Sequence, residues 1–499
     1  MNNFDAVRAD LARAIAGPVL VPGETAFGDA LSIDNGRVDL RPHVVAQPSS
    51  VEDVAAIVKY CAAQGIALTT KSGGHSAAGY CLNAEGVVMD LGALSSVDFL
   101  PGNSTLRVGA GARWIGVYDF LRDRQSELTV IGGGCAGVGV AGFLLGGGYS
   151  FISRSYGLGC DSVLGMRVVT AKGEILELND HSRGDEARLY WAMRGAGGGN
   201  FAVATRMDLQ LHRTAAPRLM MGQVTFPFYR LNEILSFYNE WVLKRPNHMA
   251  VYGMLRYFPD PRFGGRPFLG IQFTPVFNGS FEDGVEELRE VVKLKPMSLQ
   301  LYSMSLPEWE NFVGTSTQVK GHSAYIRSLV FERGALGEKF AQVCKEYMGE
   351  APTTSSYVVW THTGGKIREN DAGKSSYAHR DTEFTFELKS EWDSTSPTLA
   401  RPSIEWAVHF FDKLGTLAGA AGAYVNYIDP LLLDWKAAYY GREIRPRLVE
   451  VGKRWDDRDL FTFQQSVNSE YKTAARQPGQ PVDLSPLTRT LLPAEWNAR

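Results

Sequence analysis

Two hydrophobic periods alternate along the first part of the chain and predict a mixture of helices and strands. In QPSSVEDVAAIVKYCAAQG, residues 47–65, apolar positions recur at helical spacing. Ser49 and Glu52 form a capping box there, and Gly65 ends the helix. The segment VLGMRVVTAKGEILEL, residues 163–178, alternates with a period of two and predicts a hairpin. Helices and β-rich segments are therefore expected to alternate from about residue 45 to residue 212.

The pattern changes after about residue 218, where aromatic-rich strands mix with amphipathic helices. YVVWTHTGG (357–365) and TEFTFELKSEW (382–392) are typical of strands, whereas SIEWAVHFFDKLGTLA (403–418) has helical spacing. This pattern predicts an α+β unit, with helices on one face of a sheet. The length of 499 residues exceeds what one hydrophobic core supports, so we expect two domains or one domain split by an insertion.

Composition narrows the class of function. The net charge of −3 gives no electrostatic reason to bind nucleic acid or an anionic membrane. No apolar window of the length a membrane crossing needs is present, and the N-terminal stretch resembles a short amphipathic helix rather than a signal peptide. The five cysteines are scattered, and no zinc-type spacing occurs. We therefore expect a cytoplasmic protein that binds small molecules, with no metal, nucleic acid or membrane partner.

The stretch VIGGGCAGVGVAGFLLGGGYS, residues 130–150, contains a G-x-G-x-x-G pattern at residues 137–142, with Asp161 downstream. A nicotinamide-binding Rossmann site would need a helix that begins at these glycines. The glycines at 146–148 would each cost that helix about 1 kcal/mol relative to alanine. Two further glycine clusters, at residues 72–79 and 195–199, have the same character. Such loops bring backbone amides close to a phosphate-bearing ligand, and we expect that use here.

Five motifs, in order, resemble the flavin oxidases related to berberine bridge enzyme, which have the vanillyl-alcohol-oxidase fold. They are KSGGHS (71–76), GGGCAGVGVAGFLLGGGYSFISRSYGLGCDSV (132–163), WAMRGAGGGNFAVAT (191–205), AYVNYIDP (423–430) and LFTFQQSV (460–467). The resemblance implies an α+β, two-domain PCMH-type FAD-binding fold whose inserted substrate domain is an antiparallel sheet covered by helices. It implies an FAD-binding domain over 1–214 (its PCMH-type part about 38–214), a substrate domain over 215–425, and a segment over 426–499 that returns to the FAD domain.

The same resemblance implies FAD attached at two points. His75 would bond to the 8α-methyl group and Cys135 to C6 of the isoalloxazine, whereas the residues alone are also consistent with a turn histidine and a buried thiol. Val138 is small and would leave O₂ access to the flavin. The remaining predicted cofactor contacts are Ser72, Gly73, Gly74, Ser76, Gly139, Gly142, Gly146, Gly147, Gly159, Asp161, Gly199 and Asn426.

In sugar- and alcohol-oxidising relatives the second tyrosine of the AYVNY motif takes the substrate's hydroxyl proton. That role falls on Tyr427, beside Tyr424; from the residues alone, the pair could equally be aromatic packing. A tyrosine has a pKa near 10 and needs a cation to act as a base near neutrality. Lys366 and Lys320 are both candidates for that cation, and the sequence leaves the choice open.

Berberine-type members use a glutamate as base, for which Glu383 and Glu405 are candidates. We expect aromatic strand residues to line the substrate site. Trp360, His362 and Tyr325 are the predicted contacts and Phe384, Phe386 and Tyr252 further candidates; most of the six are expected in the core, and one or two at the substrate.

The expected activity is an FAD-dependent oxidase. It would take a hydride from a C–H next to a hydroxyl or amine of a small aromatic, secondary-metabolite or saccharide substrate and reduce O₂ to H₂O₂. Two alternatives remain open from the sequence: a flavin dehydrogenase that uses another electron acceptor, and a flavin-bound non-redox cyclase.

Overall fold

The computed structural model describes residues 3–124, 127–260, 265–315, 322–394, 396–475 and 480–487. The predicted helix after residue 50 is present, with Gly65 in the left-handed conformation at its end. Its cap lies one residue later than expected: Ser50 accepts the Asp53 amide, and the Asp53 carboxylate accepts from Ser49. An aspartate at the third helical position thus performs the role expected of Glu52.

Short helices and three sheets make up the first part of the chain. The helices are α1 (Asn3–Ala14), α2 (Thr25–Leu31), α3 (Val51–Gln64), α4 (Trp114–Asp123), α5 (Val140–Leu145), α6 (Ser153–Tyr156) and α7 (Gly184–Ala192). The strands are β1 (Val19–Leu20), β2 (Val44–Ala46), β3 (Leu68–Lys71), β4 (Val87–Asp90), β5 (Val97–Phe99), β6 (Thr105–Gly109), β7 (Leu128–Thr129), β8 (Val163–Thr170), β9 (Ile175–Asn179), β10 (Ala202–Gln210) and β11 (His212–Arg213).

These strands form one sheet of order β1-β2-β4-β3, in which β2, β4 and β3 run parallel, and a five-stranded antiparallel sheet of order β5-β6-β10-β8-β9. Strand β11 pairs with β7. Helix α5, which follows the G-x-G-x-x-G pattern, spans only six residues before it ends at Gly146. This short helix agrees with the rejection of a Rossmann site.

The middle of the chain forms one seven-stranded antiparallel sheet of order β15-β12-β14-β13-β17-β18-β16. Its strands are β12 (Leu219–Pro227), β13 (Met249–Asp260), β14 (Arg266–Phe277), β15 (Ser298–Met304), β16 (His322–Phe331), β17 (Tyr357–His362) and β18 (Phe384–Asp393). The helices are α8 (Leu231–Trp241), α9 (Phe281–Glu287), α10 (Arg289–Lys293), α11 (Leu306–Thr315), α12 (Glu338–Met348), α13 (Lys366–Glu369) and α14 (Ala400–Ala418), followed by α15 (Trp435–Trp455).

The two largest hydrophobic cores of the described residues lie in different parts of the molecule. The first combines residues between Val7 and Leu211 with residues between Ala423 and Val467, so both parts of the chain build it. The second joins the seven-stranded sheet to α8, α12 and α14. The chain end differs from the expectation for 426–499, because Val482, Leu484 and Leu487 pack in the second core. The return to the first core therefore ends before these residues.

The seven-stranded sheet presents two different faces. On β17 and β18, Trp360, His362, Phe384, Phe386 and Leu388 are buried on the side of the second core. The intervening positions, Tyr357, Val359, Thr361, Glu387, Lys389 and Glu391, are only partly buried and face the opposite side. The first part of the chain meets this opposite face, since Phe151 packs on Tyr252 of β13 and Thr385 donates to the Tyr149 hydroxyl.

Within the described residues, no helix combines the length and apolar character that crossing a membrane requires.

Candidate active site

The histidine and cysteine of the glycine motifs lie on two loops in backbone contact. A Cβ added at Gly73 would lie 2.2 Å from the Gly139 amide nitrogen, and one at Gly139 would lie 2.4 Å from the Gly73 nitrogen. The Ser72 hydroxyl donates to the Ala110 carbonyl at 2.6 Å and holds the first loop on the strand end. Only glycine permits this approach, which brings the loop of His75 against the loop of Cys135.

His75 and Cys135 keep part of their side-chain surface open, although most of their neighbours along the chain are buried. Tyr357 of β17 lies in electrostatic range of Cys135, Asp34 and Glu387, so the loops and the polar sheet face share one region. Glycine loops of this kind can provide a backbone cradle for FAD, and the partly exposed imidazole and thiol that they carry are groups able to bond to it.

Burial lowers the pKa of His75, and the charges of Arg113 and Lys389 lower it further, whereas Asp34 opposes them. The Asp34 carboxylate lies 3.7 Å from His75 Nδ1. The imidazole is therefore neutral near neutral pH, which is the form that bonds to carbon.

Several glycines of the long motif serve contacts between parts of the protein. A Cβ at Gly146 would lie 2.0 Å from Asn426 Oδ1, and one at Gly147, where φ is +113°, would lie 2.9 Å from Tyr377. A Cβ at Gly159 would lie 2.8 Å from Leu144 Cδ2. Gly142 has no atom within 4 Å of its Cβ position. The glycines therefore differ in purpose, although they look alike in the sequence.

The AYVNY motif attaches the first core to these loops. The Tyr424 hydroxyl accepts from the Gly148 amide and from Asn426 Nδ2, both at 2.9 Å. Asn426 Nδ2 also donates to the Phe143 carbonyl at 3.0 Å. Tyr424 is buried, and burial raises its pKa. Tyr424 and Asn426 therefore support the glycine loop, and Tyr424 has no hydroxyl capacity left for a base.

Tyr427 has a carboxylate partner, not a cationic one. Its side chain lies beside Glu387 of β18, and burial followed by the Glu387 charge raises the Tyr427 pKa. Burial also raises the pKa of Glu387. The charge of Lys389 and the interaction with Tyr427 lower this pKa and so oppose the effect of burial. Because a carboxyl whose pKa is raised toward neutrality is a stronger base than an exposed one, the pair can accept a proton in a closed site.

Of the two candidate lysines, Lys366 has an acidic partner at the protein surface. Lys366 Nζ pairs with Glu369 at 2.8 Å, and its side chain is 47% exposed at the protein surface. Lys320, the other candidate, lies outside the described residues. The cation beside Glu387 is Lys389, which pairs with Glu391 at 3.2 Å on the same face of β18.

Asp161 lies in the long glycine motif and accepts several hydrogen bonds. One carboxylate oxygen accepts from Arg380 at 2.5 Å, and the other accepts from the Leu158 amide at 3.0 Å and from Asn370 at 3.1 Å. Arg380 also donates to that second oxygen at 3.1 Å. These bonds join Asp161 to the backbone of its own turn and to Arg380, so its carboxylate supports the loop.

The three predicted substrate contacts are buried side chains. Trp360 is 0% exposed, and Tyr325 is buried with its hydroxyl on Asp429. His362 pairs with Glu383 at 3.3 Å, and burial lowers its pKa to about 4. All three side chains point into the second core, on one of the two faces that the strand alternation creates.

The two glutamates proposed as bases are likewise engaged elsewhere. Glu383 is buried on the side of the second core, and although burial opposes it, hydrogen bonds from His362 and Arg368 lower its pKa to about 2. Glu405 pairs with Arg401 at 2.8 Å on α14.

Sequence reasoning missed the polar face of β18 and its neighbours. A signal was present: in FTFELKSEW (384–392), residues 385, 387, 389 and 391 are polar and alternate with apolar ones. On a sheet covered by helices on one face, such alternation indicates a second, functional face. In the described part of the chain, no group of histidine, cysteine and acidic residues is arranged to hold a metal ion.

Two family matches cover the parts of the chain that hold this site. The family described as "FAD binding domain" matches residues 42–179, and the family described as "Berberine and berberine like" matches residues 423–468. The first match contains His75 and Cys135, and the second contains Tyr424 and Tyr427.

Individual proteins resemble the chain over different lengths. (R)-6-hydroxynicotine oxidase of Paenarthrobacter nicotinovorans is 34% identical over 210 residues, 42% of this chain and 44% of that protein. The chain thus matches less than half of that relative's length. Xylooligosaccharide oxidase of Thermothelomyces thermophilus is 27% identical over 90% of this chain and 92% of its own length.

A solved structure shares the whole fold. BBE-like 1 of Physcomitrella patens superposes with a TM-score of 0.80 at 22% identity and covers 92% of this chain and 98% of its own. At that identity the likeness establishes the fold, and the α+β expectation is confirmed. Residues 42–179 thus match an FAD-binding domain, residues 423–468 match a berberine-like segment, and the fold is the one seen in BBE-like 1 of Physcomitrella patens.

Proposed function

We propose that this FAD-linked oxidoreductase is an oxidase that takes a hydride from a C–H next to a hydroxyl or amine of its substrate and passes the electrons to O₂, forming H₂O₂. The observation that carries the proposal is the interaction of the partly buried Tyr427 and Glu387 side chains, which raises the Tyr427 pKa, on the sheet face that meets the first part of the chain. A proton acceptor at that place is what removal of a hydride from an alcohol or amine requires.

The cofactor would be FAD bonded to His75 and to Cys135. When bound, it supplies the hydride acceptor and the route for electrons to O₂. The neutral His75 and the glycine contact between the two loops support attachment at both side chains. Val138 donates its amide to the Cys135 carbonyl at 3.2 Å, and its small side chain beside the attachment loop supports access of O₂.

The proton path runs along the sheet. Tyr427 accepts the proton of the substrate's hydroxyl or amine while its own proton passes to Glu387. Lys389 stabilises the ionised form of Glu387 and so keeps a fraction of the pair ready to accept a proton. Tyr424 does not take part, because its hydroxyl holds the glycine loop.

The substrate would be a small aromatic, secondary-metabolite or saccharide compound. Aromatic side chains that surround the Glu387 face, namely Tyr149, Tyr252, Tyr357 and Tyr377, support a ring-bearing substrate. The named activities of the relatives, oxidation of hydroxynicotine and of xylooligosaccharides, give the compounds with which a screen should begin.

Attachment is tested by intact-mass spectrometry after denaturation in acid. The wild-type chain should retain the mass of one FAD. His75→Ala and Cys135→Ala should each retain it through the other link, and the double variant should lose it. Complete loss of flavin mass from the wild type would contradict attachment at either residue.

The base is tested by the anaerobic reduction of the flavin with an active substrate from the screen. Glu387→Gln and Tyr427→Phe should each slow reduction by about 10²–10⁴-fold, the usual contribution of a general base. Glu405→Gln, on the surface of α14, is the matched control and should reduce at the wild-type rate.

The acceptor is tested in the same experiment by admitting air. Rapid reoxidation with H₂O₂ formation supports the oxidase. A flavin that is reduced but stays reduced in air indicates a dehydrogenase with another acceptor. A substrate that is converted without bleaching the flavin indicates the non-redox cyclase.

A further inference from the structure

The AYVNYIDP segment, residues 423–430, wraps around the edge of the seven-stranded sheet. Strand β16 is the last strand in the order of that sheet, and its Val330 forms an antiparallel bridge to Gly422 just before the segment. Tyr424 and Tyr427 belong to a small cluster on the side of the glycine loops, whereas Leu431 packs in the second core. The chain therefore passes from one face of the sheet to the other between residues 424 and 431.

Ser328 of β16 holds the beginning of the segment on the face of Glu387. The two residues lie directly opposite each other in the register of β16 and β18, so their side chains leave the sheet on the same face. The Ser328 hydroxyl accepts the Tyr424 amide at 2.9 Å and donates to the Tyr424 carbonyl at 3.2 Å. That carbonyl also accepts the Tyr427 amide at 3.0 Å. The turn that carries Tyr427 is therefore fixed to the residue opposite Glu387.

A buried ion pair holds the end of the segment on the other face of the sheet. Arg327 Nε donates to Asp429 Oδ2 at 2.7 Å, and the two side chains are 3% and 1% exposed. The Tyr325 hydroxyl donates to the other carboxylate oxygen of Asp429. Arg327 also donates to the Val408 carbonyl at 2.8 Å and to Asp412 at 3.0 Å, so α14 fixes its guanidinium. Adjacent positions of β16 thus hold the segment on both faces of the sheet.

We propose that Ser328 and the Arg327–Asp429 pair are positioning residues for Tyr427: they set the distance and direction of its hydroxyl relative to Glu387 on the neighbouring strand. The inference rests on the proton acceptor of the proposed function. It assigns residues that act through the backbone of the AYVNYIDP segment and not through contact with the substrate.

Tyr427 needs such support because its own surroundings fix it loosely. Residues 423–430 belong to no helix or strand, and the Tyr427 side chain is only partly buried. Transfer of a proton requires heavy atoms about 2.6–3.2 Å apart. A displacement of about 1 Å at a reacting group can cost about 10²-fold in rate. The two attachments to β16 convert the fixed register of β16 and β18 into a fixed separation of Tyr427 and Glu387.

The same geometry predicts a change in pH dependence when an attachment is lost. Burial raises the pKa of Glu387, whereas the charge of Lys389 and the interaction with Tyr427 lower it. The charges of Asp34 and Glu391 raise it as well. Moving Tyr427 away removes its contribution alone, so the pKa of Glu387 rises. Because the ionised carboxylate accepts the proton, the acid limb of the rate profile should then move to higher pH.

The experiment measures anaerobic reduction of the flavin in the full-length holoenzyme by stopped flow, with 6-hydroxynicotine or a xylooligosaccharide as reductant. The limiting rate and the dissociation constant of the reductant are determined separately at several pH values. The main variant is Ser328→Ala, and Ser328→Thr restores the hydroxyl. The matched control is Ser390→Ala, since Ser390 of β18 is 0% exposed and its hydroxyl has no hydrogen-bond partner among the described residues. Tyr325→Phe tests the Asp429 end while it keeps the ring.

Ser328→Ala should slow the limiting reduction by about 10- to 100-fold. The dissociation constant should stay within about twofold of wild type, because the lost contact acts on the reaction and not on binding. Ser328→Thr should recover most of the rate, and Ser390→Ala should match wild type. Tyr325→Phe should slow reduction less, because Arg327 still holds Asp429. Hydrogen exchange of peptides that cover residues 421–431 gives a readout that needs no reductant, and it should be faster in Ser328→Ala than in Ser390→Ala.

A double-mutant cycle with Glu387→Gln separates positioning from a general loosening of the fold. If Ser328 acts by aligning Tyr427 with Glu387, Ser328→Ala should slow reduction little further in the Glu387→Gln background. An equal factor in both backgrounds overturns the inference. Reduction of Ser328→Ala at the rate and with the pH profile of Ser390→Ala also overturns it and leaves the proposed function standing. If Glu387→Gln and Tyr427→Phe themselves reduce at the wild-type rate, the proton acceptor of the proposed function has failed, and the positioning role fails with it.

Discussion

Two glycines four residues apart, Gly142 and Gly146, should respond in opposite ways to the same substitution. Gly146 has a φ of −106°, so alanine is not excluded there by backbone conformation. Its Cβ, however, would lie 2.0 Å from Asn426 Oδ1. Gly142 lies inside α5 and has no atom within 4 Å of its Cβ position. Comparing the alanine variants of Gly142 and Gly146 therefore isolates the contact between residue 146 and Asn426.

The cost of Gly146→Ala follows from what Asn426 must release. Its side-chain amide donates to the Phe143 carbonyl at 3.0 Å and to the Tyr424 hydroxyl at 2.9 Å. Losing both hydrogen bonds costs about 2 kcal/mol. Overpacking adds about 1–3 kcal/mol. The lower entropy of the unfolded alanine chain returns about 0.5–1 kcal/mol. The net loss is about 2–4.5 kcal/mol, whereas Gly142→Ala should gain about 0.5–1 kcal/mol.

The assay is urea unfolding followed by tryptophan fluorescence, with the three proteins compared at one pH and one flavin loading. Gly146→Ala should unfold at lower urea than wild type, and Gly142→Ala at equal or higher urea. Adding Asn426→Ser to Gly146→Ala should restore part of the loss, since the serine side chain no longer reaches the new methyl group. If the two alanine variants unfold together, the contact between Gly146 and Asn426 does not hold the loop and the reasoning is refuted.

Three further predictions concern other parts of the molecule. Lys366→Met should leave the rate of flavin reduction within about twofold of wild type, since such surface ion pairs contribute little; a larger loss would restore Lys366 to the site. Burial lowers the pKa of His212 to about 4. The buried imidazole therefore favours the folded state fully when the pH is above the pKa that His212 has in the unfolded chain. This stabilisation is lost as the pH falls toward about 4. Unfolding free energy should drop by about 2 kcal/mol between about pH 7 and pH 5 from this group, and His212→Gln should lack that part of the slope. Trp360→Leu should lower the urea midpoint and leave KM unchanged, whereas Tyr357→Phe should change KM; the reverse result would contradict the assignment of the strand faces.

The class of protein and the location of the chemistry could be read from the sequence, because local motifs carry them. A glycine loop with a histidine at its tip, a cysteine among glycines and the AYVNY motif are each contiguous, and they occur in a fixed order. The rejection of a Rossmann helix was equally local, since it follows from the helix propensity of three adjacent glycines. The helices and strands of the first part followed from hydrophobic periods in the same way.

Side-chain partners depended on pairings between distant parts of the chain, and here the sequence was insufficient. Glu387 and Tyr427 are brought together by β18 and the AYVNY motif, and β16 holds that part of the chain on both faces of the sheet. The Asp161 carboxylate accepts from Arg380, which lies far along the chain and belongs to none of the motifs.

The period of a strand determines that its side chains form two sets, but not which set faces the site. Trp360 and Tyr357 belong to the same short strand and are both aromatic. The packing of α8, α12 and α14 on one face of the sheet decides that Trp360 is core and that Tyr357 meets the flavin loops. The sequence alone indicated the FAD-binding motifs and the fold class. The tertiary structure decided which side chains surround Tyr427 and Glu387, because that depends on which surfaces bury one another.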